Sequence, residues 1–126
     1  MKNFRELRIW QQGMEIARLS YELVAAFPKE ERFSLSNQIT RSAVSIPSNI
    51  AEGSSRGSEK GYVRFLEIAL GSGFELETQL LIARSAGFGN IDLCEKMLLR
   101  LSEEQKMLGA FIQTIKKSQQ LRANCQ

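Results

Sequence analysis

Residues 53–58 form the segment of this sequence best suited to bind an anion. Their sequence is GSSRGS, a glycine- and serine-rich turn that leads into the start of a predicted helix. Unpaired backbone N–H groups at a helix start bind phosphate oxygens, and Arg56, Lys60 and Arg64 add positive charge beside them. The Gly-Lys-Ser/Thr of a nucleotide-binding P-loop is missing. The segment therefore predicts one phosphate contact of a wider nucleic-acid surface rather than a nucleotide site.

Cations elsewhere in the chain extend this surface. Arg5 and Arg8 lie near the start of the first predicted helix, and Lys116 and Lys117 lie in the last turns of the fourth. Lysine and arginine contacts to phosphate give affinity that does not depend on base sequence. The predicted nucleic-acid-binding set is Arg5, Arg8, Arg56, Lys60, Arg64, Lys116 and Lys117. The net charge of +3 is too small to require such a partner by itself.

Residues that carry catalysis are scarce. The chain has no His, which excludes Ser-His-Asp and Cys-His mechanisms and the commonest transition-metal ligand. Glu75 and Glu77 are two residues apart on a predicted helix, so they point to different faces and form no acid/base pair. Cys94 and Cys125 are too few for a four-cysteine zinc site. We expect no enzymatic activity, cofactor or metal. A carboxylate-only enzyme is the remaining alternative, if the polar face of the second helix opens into a cleft.

That polar face is the unusual part of the second predicted helix. Its members recur at alternating spacings of four and three: Gln38, Ser42, Ser45, Asn49, Glu52 and Arg56. Pro47 removes a backbone hydrogen bond in the middle of this helix, and short polar side chains satisfy carbonyls freed by a kink. The structural interpretation also pairs Glu77 of the third helix with Arg41 or Arg56. The functional interpretation is the phosphate contact at residues 53–58.

Helical spacing of apolar residues runs through the whole sequence and predicts four helices. Their expected bounds are residues 5–26, 34–52, 58–86 and 91–121, within one domain spanning residues 1–126. Ser34 and Ser58 are predicted N-caps, and the glycines of residues 87–89 end the third helix. Helices of this length joined by short loops favour an all-α, antiparallel up-down-up-down four-helix bundle, with its second helix kinked at Pro47.

The helices carry more apolar surface than one core requires. The predicted core face of the first helix is Leu7, Trp10, Met14, Ala17, Tyr21 and Val24, and a second apolar line is Ile9, Ile16 and Leu23. In the fourth helix the predicted seam is Cys94, Leu98, Leu101, Leu108, Ile112 and Ile115, interrupted by Gln105. Off-core residues Val44 and Pro47 of the second helix and Val63, Leu70, Phe74 and Leu81 of the third add to the surplus. Extra apolar faces on three helices predict a homo-oligomer.

The polar motif of the second helix also carries a family resemblance. Residues 38–53, QITRSAVSIPSNIAEG, continued by Arg56, resemble the signature of a four-helix-bundle family named for proteins encoded in 23S rRNA intervening sequences. Further matching elements are Trp10-Gln11, Phe27-Pro28, FLEIALGS at residues 65–72 and ELETQL at residues 75–80. The resemblance covers about residues 4–88, and the fourth helix is generic.

The resemblance implies a bundle that assembles into a ring-like homo-oligomer, a pentamer, without a defined biochemical activity. A similar fold serves as the accessory protein of diversity-generating retroelements, where it binds nucleic acid and a reverse transcriptase. We interpret one set of residues as the structural motif: Gln38, Arg41, Ser45, Pro47, Asn49, Glu52, Gly53 and Glu77.

The leading prediction is a non-enzymatic, oligomeric four-helix bundle that binds RNA or another nucleic acid. The alternative is a protein-interaction scaffold or accessory subunit, for example to a reverse transcriptase, with a purely structural motif in its second helix. The sequence has neither an apolar run long enough to span a bilayer nor an N-terminal apolar signal core. With two cysteines that fit a reducing compartment, we expect a cytoplasmic protein without a membrane partner.

Overall fold

Four long helices make up the computed structural model, which describes residues 3–125. Their bounds are α1 Arg8–Val24, α2 Leu35–Ser54, α3 Glu59–Ala86 and α4 Ile91–Asn124. Short 3-10 turns at Phe4–Glu6 and Lys29–Glu31 precede α1 and α2. The described residues contain no strand. The predicted all-α fold with four helices is therefore confirmed.

The first helix is shorter than predicted because its expected first turn is a separate element. Asn3 caps the 3-10 turn by accepting a hydrogen bond from the Arg5 N–H, and Leu7 then adopts an extended conformation. Consequently α1 begins at Arg8 rather than at residue 5, and it ends at Val24 rather than residue 26. The second and fourth helices instead run two and three residues past the predicted ends at residues 52 and 121.

Local capping fixes the ends of α3. The Ser58 hydroxyl accepts a hydrogen bond from the Gly61 N–H at 3.1 Å, as predicted for an N-cap. Gly87 has a φ of 74° and ends the helix in the left-handed conformation that glycine adopts without strain. Ser34, in contrast, caps α2 without a side-chain hydrogen bond to the helix, because its hydroxyl donates to Glu31 at 2.9 Å.

Contacts between helices join the beginning of one to the end of its neighbour. Lys116 near the end of α4 pairs with Glu67 in the first half of α3, and Arg84 near the end of α3 pairs with Glu95 near the start of α4. At the end of α2, Gly53 lies against Phe65 of α3. Arg8 at the start of α1 lines one depression together with Ala110 and Thr114 of α4. These contacts place the starts of α1 and α3 beside the ends of α2 and α4.

The buried residues of α2 follow the helical spacing of its apolar residues, whereas in α1 most of the core comes from the second apolar line instead of the predicted core face. Leu35, Ile39, Ala43, Ile46 and Ile50 are all buried. In α1 the buried residues are Ile9, Ile16 and Leu23, together with Gly13, Ala17, Leu19 and Ser20, so Ala17 is the buried member of the predicted core face. Met14 and Tyr21 of the predicted seam are 45% and 59% exposed. Both apolar lines of α1 have helical spacing. Gly13 has no side chain, which lets α1 approach Ile46 and Glu104 closely, and the line on the same side of α1 faces inward.

The seam of α4 shifts by one position around residue 104. Met97 and Glu104 are fully buried, whereas Leu98 and Gln105 are only half-buried. The predicted interruption at Gln105 is therefore wrong, because Glu104 occupies the core position between Leu101 and Leu108.

Pro47 lies inside α2, which is continuous from Leu35 to Ser54, and the predicted kink there stays a prediction. Across the described residues, no helix has the length and apolarity needed to cross a membrane.

Candidate nucleic-acid interface

Positive charge is concentrated at one end of the bundle, where α1 and α3 begin and α2 and α4 end. We call this the basic end and define it as residues 3–8, 52–67 and 112–125. These segments hold eight Lys or Arg and four Glu, a net charge of +4, whereas the whole chain carries +3. The modest net charge of the protein therefore hides a local excess, which is the feature that attracts polyanions.

Ion pairs neutralise only part of this charge. Arg56 pairs with Glu52 at 2.7 Å, Lys116 with Glu67 at 3.0 Å, and Arg122 with Glu59. Among the described residues, the cations of this end that form no ion pair are Arg5, Arg8, Lys60, Arg64 and Lys117. All of the ion pairs are substantially exposed, so phosphate groups compete with them at small cost.

Three of the predicted binding residues meet in one groove between α3 and α4. Lys60, Arg64 and Lys116 line it, together with Ser58 and Glu67, around a volume of about 500 Å³. The spacing of four between Lys60 and Arg64 places both on one face of α3, and α4 supplies Lys116 opposite them. We call this the α3/α4 groove.

The other predicted binding residues lie around the same end but outside this groove. Arg8 borders a second depression between α1 and α4, beside Met107 and Thr114. Arg56 stacks over the ring of Phe65 at 4.4 Å while it pairs with Glu52. The predicted set therefore surrounds the end of the bundle instead of forming one continuous patch.

Backbone groups of residues 53–58 contribute less than the sequence predicted. The N–H groups of Ser55 and Arg56 donate to the carbonyls of Glu52 and Gly53, and the Gly61 N–H donates to Ser58. These amides are already satisfied within the protein, so a phosphate at this turn relies chiefly on the cationic side chains.

The polar motif of α2 bonds to α3. The hydroxyls of Ser45 and Ser72 lie 2.8 Å apart, and the Asn49 amide donates to the Ser45 carbonyl and hydroxyl at 2.8 and 2.9 Å. Ser42 lies 2.9 Å from the side-chain oxygen of Gln79. These bonds satisfy polar groups between the two helices, as the structural interpretation requires.

A polar groove opens beside this network. It has a volume of about 490 Å³ and is lined by Gln38, Arg41, Ser42, Ser45, Glu75 and Gln79. Glu75 is the single carboxylate among these lining residues. The groove therefore lacks the pair of carboxylates that acid/base chemistry without histidine uses.

The expected partner of Glu77 was wrong. Its carboxylate accepts a hydrogen bond from the Gln105 amide at 3.0 Å, so it faces α4. Arg56 pairs with Glu52 of its own helix end, and Arg41 lines the polar groove on the α2 side of α3. Glu77 bonds to Gln105 because it lies on the side of α3 that faces α4. The helical angle alone did not place it on that side.

Gly53 lies at a close approach of α2 to α3. A Cβ at this position would lie 2.9 Å from the Cβ of Phe65 and 3.0 Å from Cδ1 of Tyr62. Distances under about 3 Å between carbons are repulsive. This glycine of the motif therefore has a packing role at the basic end.

An apolar groove lies between α1 and α2, where the sequence predicted surplus apolar surface. It is lined by Trp10, Met14, Ala17, Tyr21, Val44, Pro47 and Ala51 and has a volume of about 470 Å³. Phe74 and Leu81 of α3 are 54% and 39% exposed, whereas Val63 is buried and Leu70 is half-buried. We call the groove between α1 and α2 the α1/α2 groove.

Sequence analysis missed one buried titratable residue, Glu104. Burial raises the pKa of its carboxyl group to about 8. The alternating three-and-four spacing of Cys94, Met97, Leu101, residue 104 and Leu108 marks it as a core position, and this signal was available in the sequence. In residues 3–125 no cluster of His, Cys, Asp or Glu has the arrangement of a metal site.

Four packed helices, a proline-containing polar motif in α2 and a cationic end define the class of this protein as an all-α bundle. The chain belongs to the 23S rRNA-intervening sequence protein family, which it matches over residues 5–110. The predicted family membership is thus confirmed.

A solved structure supports the same fold. The chain is similar to the crystal structure of a protein with unknown function from the S23 ribosomal protein family of Bacteroides thetaiotaomicron VPI-5482. The TM-score is 0.72 and the sequence identity 27%, over 82% of this chain and 97% of the other. No curated protein matches this sequence.

Proposed function

We propose that this protein is a non-enzymatic, oligomeric helical bundle that binds RNA or another nucleic acid through its basic end. The observation that carries the proposal is the local net charge of +4 at one end of a chain whose total is +3. The remainder of the molecule therefore has no excess of positive charge, which orients a polyanion toward this end.

The α3/α4 groove is the proposed phosphate-binding site within that end. Lys60 and Arg64 form no ion pair among the described residues, and the partner of Lys116 is an exposed glutamate. Three cations line this one groove, and a nucleic-acid backbone offers several phosphates for such contacts. Because such contacts read charge, we expect binding that depends more on salt than on base sequence.

Self-association is the second part of the proposal. The α1/α2 groove exposes Met14 and Tyr21, and α3 exposes Phe74 on a different helix. Apolar residues of one copy that cover those of the next would form a head-to-tail interface, which closes into a ring when the rotation allows. The pentamer implied by the sequence resemblance is the assembly we propose. Both cysteines are free, which agrees with the proposed location in the reducing cytoplasm.

Fluorescence anisotropy tests the binding proposal. The probes are a structured RNA, a single-stranded DNA and a duplex DNA, titrated at about 50 and about 200 mM salt. The test variant replaces Lys60, Arg64 and Lys116 by alanine. Its control replaces Lys29, Arg32 and Lys96, three exposed cations at the opposite end, and has the same charge change.

Saturable binding that weakens with salt and is lost in the test variant alone supports the proposal. Equal loss in both variants indicates attraction by net charge without a site, which contradicts it. Absence of binding to any probe at low salt contradicts it as well.

A protein-interaction scaffold or accessory subunit, for example to a reverse transcriptase, is the second candidate. The exposed apolar lining of the α1/α2 groove favours it, because such surfaces mark protein contacts. In that case polar substitutions of Met14 and Tyr21 abolish partner binding, while the basic-end variant has no effect.

A further inference from the structure

A carboxyl group lies in the core at the middle of α4 without a partner. Glu104 has an exposed fraction of 0%, and neither of its side-chain oxygens has a hydrogen-bond partner among the described residues. An ionised carboxylate in such surroundings loses its hydration and gains nothing in return. A buried acid of this kind takes up a proton instead.

The carboxyl group occupies space that a glycine leaves open against α2. Oε2 of Glu104 lies 3.3 Å from the position that a Cβ would take at Gly13. A side-chain carbon of Ile46 and the Cβ of Pro47 lie 3.3 and 3.4 Å from the same position. Glu104 and the proline turn of α2 therefore flank one empty Cβ position of α1.

Nearby charges do not compensate Glu104. On α3, Glu77 accepts its hydrogen bond from Gln105. Most other charged side chains along the packed helices are exposed at the surface or bonded to another side chain: Arg8, Glu15 and Arg18 of α1, Arg41 and Glu52 of α2, Glu75 of α3, and Glu103 and Lys106 of α4. Arg100, one turn before Glu104 on α4, is half-buried and forms no ion pair with it. Burial alone raises the pKa of Glu104 to about 8.

Pro47 frees a buried backbone acceptor in the part of α2 that meets Gly13 beside Glu104. Proline has no N–H, so the carbonyl of Ala43, four residues earlier, loses its helical donor. Ala43 is fully buried, which keeps water from replacing that donor. We propose that Glu104 is protonated in the folded bundle and donates its hydrogen to the Ala43 carbonyl, so that loss of this proton loosens α4 from the proline turn of α2.

This arrangement makes the fold sensitive to pH near neutrality. The unfolded chain releases the Glu104 proton at the ordinary glutamate pKa of about 4.3, whereas the folded protein holds it until about pH 8. The contribution is therefore complete below about pH 4.3 and is lost progressively as the pH rises to about 8. Within that window the unfolding equilibrium constant rises about tenfold per pH unit from this group.

Urea unfolding between about pH 5 and about pH 8, at fixed protein concentration, tests the proposal. The wild type should lose stability over this range, by about 400-fold in the unfolding constant. Glu104→Gln, which is neutral and keeps a donor, should remove that loss. Glu103→Gln is the matched control, because this neighbouring carboxylate is exposed and its removal should leave the loss unchanged.

Infrared spectroscopy reports the protonation state of Glu104 in the folded protein directly, without relying on a difference in stability. At neutral pH the wild type and Glu103→Gln should show the carbonyl stretch of a protonated carboxylic acid, and Glu104→Gln should lack it. In Pro47→Ala the N–H gained at position 47 competes for Ala43, so this band should move to the frequency of a less hydrogen-bonded acid.

Absence of the acid band in the wild type overturns the proposal. Wild type and Glu104→Gln with parallel pH profiles also overturn it. An acid band that is identical in the wild type and in Pro47→Ala refutes the pairing with Ala43.

Discussion

Replacing Gly53 by alanine should destabilise the bundle, although alanine is the better helix former. Gly53 lies in the last turn of α2, and the new Cβ would lie 2.9 Å from the Cβ of Phe65 and 3.3 Å from the backbone oxygen of Tyr62. Neither atom is at the end of a flexible side chain, so α2 and α3 must move apart. Overpacking of this kind costs about 1–3 kcal/mol.

The opposing gain is smaller. Exchanging glycine for alanine within a helix contributes at most about 1 kcal/mol, and less at a helix end. The net result for Gly53→Ala is a loss of about 1–2 kcal/mol in the free energy of unfolding. For a chain of 126 residues that corresponds to a fall in Tm of roughly 3–10 °C.

Two other helical glycines provide matched controls. A Cβ at Gly71 or at Gly109 would have no atom within 4 Å. Both alanine substitutions should therefore stabilise the protein by about 0.5–1 kcal/mol. The assay is urea unfolding followed by circular dichroism, with all variants at one concentration. If Gly53→Ala is as stable as Gly109→Ala, the close approach of α2 and α3 at this glycine is refuted.

Two further predictions concern a turn and a surface. Gly89→Ala should lower the free energy of unfolding by more than about 2 kcal/mol, the sum of backbone strain and overpacking. Gly89 has a φ of 79°, and its new Cβ would lie 2.8 Å from the Phe27 ring. A variant whose thermal unfolding matches that of the wild type would contradict this prediction. Met14→Asp and Val44→Asp should each reduce the mass measured by sedimentation without altering helix content, since both side chains line the exposed α1/α2 groove. An unchanged mass would exclude that groove as the contact between copies.

Much of the fold is predictable because helical spacing and capping act locally. The core stripe of α2, the N-cap Ser58 and the stop at Gly87 all follow from the types of neighbouring residues. The start of α1 was less accessible, since the Asn3 side chain caps a separate turn and leaves Leu7 extended. Such competition between two possible helix starts depends on single hydrogen bonds.

Tertiary packing decides the features that the sequence left ambiguous. Both apolar stripes of α1 satisfy the same periodicity, and only the close contact at Gly13 distinguishes the buried one. A glutamate at a core position of α4 contradicts the rule that charges face solvent, so Glu104 was not recognised and the interruption of the seam was placed at Gln105. A protonated, uncharged Glu104 fits the apolar spacing of the core residues of α4.

The candidate site was predictable by composition but not by geometry. Seven of the eight cations of the basic end belong to the predicted set, and Arg122, which pairs with Glu59, is the one that the prediction left out. Their distribution depends on the order in which the helices pack, which places Lys60 and Arg64 opposite Lys116 and leaves Arg8 on another side.

The salt dependence of RNA binding tests the central claim most directly. The measurement is the binding constant for a structured RNA across a series of salt concentrations, for the wild type and for the variant with Lys60, Arg64 and Lys116 replaced by alanine. Each phosphate contact contributes a slope of about 0.7–0.9 in the logarithmic plot. The account predicts that the slope of the variant is smaller by about 2–3, whereas the opposite-end control keeps the slope of the wild type. Identical slopes for all of these proteins would contradict a nucleic-acid site at the basic end.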